Sequence, residues 1–122
     1  MVVTNALGVA FTATLLAASD AGVTFAFSED GATNALAWAQ LAPASRAAVC
    51  DALDFAPVPP ALAATFAVAR NELRRVDALV ADERLDVAAA ARRRASVRAA
   101  FARRARAAGL DEAAIRRLVA RL

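Results

Sequence analysis

Residues 61–108 read ALAATFAVARNELRRVDALVADERLDVAAAARRRASVRAAFARRARAA, a run with no proline and no glycine. Nearly every side chain in it is a good helix former. Leu62, Phe66, Ala69, Leu73, Val76 and Val80 step by four and three, the spacing of a coiled-coil seam. The pattern continues through Val87, Ala90, Val97 and Phe101, with charged interruptions at Glu83 and Arg94. One continuous helix over this run would be about 70 Å long. The alternative is an antiparallel helical hairpin that breaks near Asp82-Glu83-Arg84, where no glycine stands to end the first arm. Both readings stay open at this point.

Downstream, Gly109 is a helix stop and Asp111 is placed as the N-cap of a short last helix with Ile115, Leu118, Val119 and Leu122 on one side. Upstream, Phe55-Ala-Pro-Val-Pro-Pro60 cannot continue a helix and favours an extended spacer. The chain therefore divides into a body over 1–55, a proline-rich spacer over 56–60 and a long helix or hairpin with a basic C-terminal part over 61–122.

For the body, Leu7, Ala10, Phe11, Thr14 and Leu15 share one helix face, and the uncharged run Val2–Ser19 reads as a buried core helix. It lacks flanking Lys or Arg and contains Thr and Asn, so neither a membrane span nor a secretory leader is expected. A helix over Glu29–Leu41, capped by Ser28, competes with a short β-hairpin near 23–38 turning at Asp30-Gly31, and the Ala-rich filling around Trp38 favours the helix. A short helix follows from Pro43 to Leu53. Trp38 reads as a core aromatic beside Phe25, Phe27 or Leu41. The expected fold class is thus mostly α: a small helical N-terminal body, a long heptad-patterned helix or hairpin, and a short C-terminal helix.

Charge separates along the chain. Residues 1–87 carry five Arg against ten Asp and Glu, and residues 88–122 carry ten Arg against two. A basic element on an acidic body seeks an anionic partner. Arg92, Arg93, Arg98, Arg103, Arg104 and Arg106 are the expected contacts to that anion, and Leu62, Phe66, Leu73, Val76 and Val80 the expected contacts to a partner helix. With no Lys beside the arginines and Phe101 the one aromatic among them, stacking on bases is poorly provided for, although an Arg-rich helix over 92–106 can still track phosphates.

Catalytic chemistry finds little support. One Cys and no His leave no disulfide framework, no Cys/His zinc site and no base beside Cys50. The four glycines are too scattered to cradle a phosphate. No enzyme activity, cofactor or metal is expected. The expected role is a non-enzymatic interaction protein, a small structural subunit or adaptor that binds other subunits or its own copies, with nucleic-acid binding as the alternative. Nothing in the sequence assigns a compartment, and the lone cysteine favours an intracellular one.

Overall fold

The computed structural model describes residues 1–122. The chain divides into two compact units, Met1–Pro57 and Val58–Leu122.

Unit 1 corrects the mostly α expectation. The molecule is mixed α/β, 54% helical and 20% strand, and the strands all lie here. β1 (Val2–Thr4), β2 (Ala10–Ala18), β3 (Gly22–Phe27) and β4 (Thr33–Ala37) form one antiparallel meander in that order. Residues expected to make an apolar helix are β2 instead. Phe11, Ala13 and Leu15 alternate inward while Thr12 and Thr14 face out, and β-branched residues sit well on a pleated surface. The preceding turn decides the matter. Gly8 adopts φ 86°, and Asn5 Oδ1 accepts from the N–H groups of Leu7 and Val9 at 3.0 and 2.9 Å. This Asn turn joins β1 to β2 and leaves no room for a helix starting at Ala6.

The hairpin also wins over the helix at 29–41. Phe27 and Ala32 bracket the Ser28–Gly31 turn, with the Ala32 N–H donating to Asp30 Oδ1 at 2.9 Å. β4 then returns along β3 in the register Phe25↔Asn34 and Val23↔Leu36. Gly22 faces Ala37 in that register, and a Cβ there would lie 2.0 Å from the carbonyl oxygen of Leu36. A 3-10 turn, Trp38–Gln40, leads to Leu41, which bridges back to Asn5 beside β1. α1 (Pro43–Leu53), with proline at its first position, covers the inner face.

The core of this unit contains Val3, Val23, Trp38, Leu41 and Val49, with Phe11, Leu15 and Phe55 packed against it. Trp38 stacks on Phe55 at a centroid distance of 6.0 Å, and its indole N–H donates to the Ser19 carbonyl at 2.7 Å. A buried tryptophan needs such a partner for its one polar atom.

Unit 2 is helical throughout. A 3-10 turn, Pro60–Leu62, opens into α2 (Ala63–Ala81), followed by α3 (Val87–Ala107) and α4 (Glu112–Ala120). The long run is therefore a hairpin. Its turn falls at Asp82–Asp86, where Glu83 takes the left-handed conformation at φ 57°. The Arg84 N–H donates to Leu79 O at 2.8 Å and the Glu83 N–H to Val80 O at 3.1 Å, the paired bonds of a Schellman stop. Asp86 Oδ1 then accepts from the Ala89 N–H at 2.7 Å and starts α3. Gly109 ends α3 with the same two bonds, and Asp111 caps α4 through the Ala114 N–H at 2.7 Å. No helix of the chain is long and apolar enough to cross a membrane.

Candidate functional site

The seam of α2 is used inside unit 2. Leu62, Phe66, Leu73 and Val76 are 4–6% exposed, and Val80 is half-buried near the turn. The helix they meet is α3 of the same chain. Phe66 packs edge-on against Phe101 at 5.6 Å, and the charged intruder on the seam, Arg94, reaches across to Asp77 at 2.6 Å. α4 adds Ile115 and Leu118 to this core, and Arg121 at its end lies over the Phe66 ring at 5.4 Å.

A second stripe on α2 lies away from α4. Thr65, Val68, Glu72, Arg75 and Leu79 repeat the three-four spacing along the helix face next to the buried seam. Opposite them, α3 presents Ala89, Arg93, Ser96 and Ala100. The two stripes are the walls of an open groove. At the turn end it widens to about 600 Å³ between Arg75, Leu79, Leu85, Ala89, Arg92 and Arg93. Towards the other end it narrows to about 280 Å³ around Ala64, Val68, Ala100 and Arg104. Glu72 and Val97 border both parts, so the two run into one another. No residue of α4 lines either part. Thr65 to Leu79 spans about 21 Å at the helical rise, or four turns of an occupant helix.

The floor is apolar and the rim is basic. Val76 and Phe101 are buried beneath it, and Val68 is 57% exposed within it. Arg75, Arg92, Arg93 and Arg104 are exposed, and no ion pair engages them. Ala89, Ser96 and Ala100 leave the α3 wall low. Of the arginines expected to meet an anion, Arg92, Arg93 and Arg104 come together here. Arg98 and Arg103 are exposed and line neither part of the groove.

Arg106 is committed elsewhere. Its Nε and Nη2 donate to the two oxygens of Glu112 at 2.6 and 3.1 Å. The hydrogen bond from Arg106, followed by the charge of that guanidinium against the opposing desolvation, holds the Glu112 carboxyl below its ordinary range, and the same pair raises Arg106. The pair ties the end of α3 to the start of α4.

No known protein family matches this chain, and no curated protein or solved structure is similar to it. The reading of the groove rests on its own chemistry. It assembles arginine, glutamate and serine side chains around aliphatic ones, and no group of three or more His, Cys, Asp or Glu is placed to hold a metal ion. Arg75 and Val68 are the functional candidates that charge counting along the sequence passes over. Their signal is the second three-four stripe on α2, which runs beside a more apolar one.

Proposed function

We propose that this chain is a non-enzymatic interaction protein, a small structural subunit or adaptor of a larger assembly, which takes up a helix of another protein between α2 and α3. The observation that carries the reading is the groove. Two helices form a layer, α4 packs beside Phe66, and the face bearing Val68 and Ala100 stays open with an apolar floor. A layer of helices is complete when its apolar stripes are covered. The walls repeat the spacing that receives knobs from a third helix, and helix-in-groove docking is a common mode of peptide recognition.

The test is to plug the groove. Ser96 is exposed, so Ser96→Trp fills the space over Val97 without entering the core. A fluorescein-labelled helical peptide of about four turns with an apolar stripe should bind the native chain, and should lose about tenfold or more in affinity against the plugged variant. Equal binding to both would refute docking in this groove.

The alternative is nucleic-acid binding through the outer surface of α3. Its support is that Arg98 and Arg103 are exposed outside the groove. Binding of duplex DNA that falls steeply with salt and is lost in Arg98→Gln with Arg103→Gln would favour it. Aromatic support for it is thin, since Phe66 and Phe101 are buried.

A further inference from the structure

We infer that the occupant of the groove is an acidic amphipathic helix of a partner protein, with carboxylates along both flanks of a short apolar stripe. The inference rests on the docking reading and adds the chemistry of the ligand. Four arginines rim the groove, Arg75 from α2 and Arg92, Arg93 and Arg104 from α3, with Glu72 the one carboxylate among the lining residues. Elsewhere in the unit Arg94 is answered by Asp77 and Arg106 by Glu112, while Arg74, Arg84, Arg98 and Arg103 stand exposed without an ion pair. The rim arginines also lack an ion pair, and they alone of the unpaired arginines line the groove.

Their place along an apolar floor, with one carboxylate among them, selects the ligand. A purely apolar helix would strip water from four guanidinium groups and return nothing, and an unpaired charge withdrawn from water is costly. A helix with Glu or Asp beside its apolar stripe restores a partner to each, and Arg offers the planar fork that suits a carboxylate. The low α3 wall of Ala89, Ser96 and Ala100 admits the backbone of such a helix closely. Glu72, midway along, selects a single basic residue at the centre of the occupant.

A second copy of the chain is a poor occupant. Unit 2 carries fourteen Arg against seven Asp and Glu, so two copies of it repel. The acidic residues of α2 that might answer lie on the hairpin that forms the groove itself. α1 brings Arg46 along with Asp51. The carboxylates of Asp20, Glu29 and Asp30 sit on turns.

The experiment compares three labelled peptides of about eighteen residues, sharing one leucine stripe and carrying flanks of Glu, Gln or Lys, by fluorescence anisotropy on the full chain. The Glu peptide should bind about tenfold more tightly than its Gln twin at about 50 mM NaCl, and the gap should close towards about 500 mM. The Lys peptide should fail. Arg93→Glu with Arg104→Glu, both exposed positions whose folding is checked by circular dichroism, should invert the preference to Lys. If Gln and Glu peptides bind equally and both are lost in Ser96→Trp, docking stands and the acidic occupant is overturned. If no peptide binds, both fall. If the Glu peptide binds but ignores the double reversal, or if duplex DNA binds more tightly than it through Arg98 and Arg103, the inference is likewise overturned.

Discussion

In unit 1 several N–H groups of the edge strands are taken up by the unit's own side chains, whereas in unit 2 a row of arginines beside an apolar floor is without ion pairs. Along β4 the outward N–H of Ala35 donates to Asn34 Oδ1 and that of Ala37 to Gln40 Oε1, each at 2.8 Å. At the other edge the Thr4 N–H donates to Ser45 Oγ at 2.8 Å, and the Ala42 N–H returns to the Thr4 carbonyl at 3.0 Å. An unguarded edge strand recruits further strands, and here short polar side chains blunt it without a single lysine. The contrast teaches where to look for recognition. Arg75, Arg92, Arg93 and Arg104, with no ion pair beside the groove, are the face proposed to meet a partner.

The heaviest blow to the closed side is Gly22→Ala. A methyl 2.0 Å from the Leu36 carbonyl must push β4 off β3, and a displacement of ladder and core together costs about 3 kcal/mol. Thermal melts followed at Trp38, which reports on unit 1, should show it. An unchanged melt would mean that the β3–β4 approach is looser than described.

Opening the β4 edge comes next. Asn34→Ala with Gln40→Ala removes two exposed hydrogen bonds, each worth about 1 kcal/mol or less. The clearer sign is concentration-dependent association in light scattering, because the freed N–H groups of Ala35 and Ala37 can then pair with another strand. A double variant that stays monodisperse would remove the guarding role.

On the open side, Glu83→Gly should stabilise. Glu83 holds φ 57° at the hairpin turn, and a left-handed residue with a Cβ pays about 1 kcal/mol that glycine does not. A rise in the denaturant midpoint of the helical signal is expected. A fall would show that the Glu83 side chain contributes more than its backbone strain removes.

Smallest is Glu112→Gln. Because Arg106 lowers the folded-state pKa of Glu112, the pair adds stability above the ordinary carboxylate range and loses it as pH falls through the lowered value. The variant should melt slightly below the native chain at pH 7, and the two should converge in acid. Both groups are exposed, so salt should shrink the difference too. A gap that persists in acid would assign the effect to helix propensity.

The three helix stops explain how far the sequence could be read. α1 ends at Asp54, α2 at Glu83 and α3 at Gly109, and each has the same bond pattern, the Phe55 N–H reaching Cys50 O in the first case at 3.0 Å. Gly109 announces itself because glycine favours the left-handed conformation that the stop requires. Asp54 and Glu83 do not, so the sequence leaves the rod and the hairpin both open and tertiary packing decides for the hairpin. The start of the chain misleads for another reason. Phe11 and Leu15 fit a period of 3.6 and of 2 alike, and the deciding residues are the Asn5–Gly8 turn and the outward Thr12 and Thr14. At the site, charge made Arg92, Arg93 and Arg104 visible. Which arginines would be spent on Asp77 and Glu112 follows only from where the hairpin turns.

The most direct test is to follow the backbone amides of the full chain by NMR as the Glu-flanked peptide is added. The account predicts shifts concentrated at Val68, Glu72, Arg93, Ser96 and Ala100, with the strands of unit 1 unmoved. Shifts centred on Arg98 and Arg103, or on β4, would contradict it.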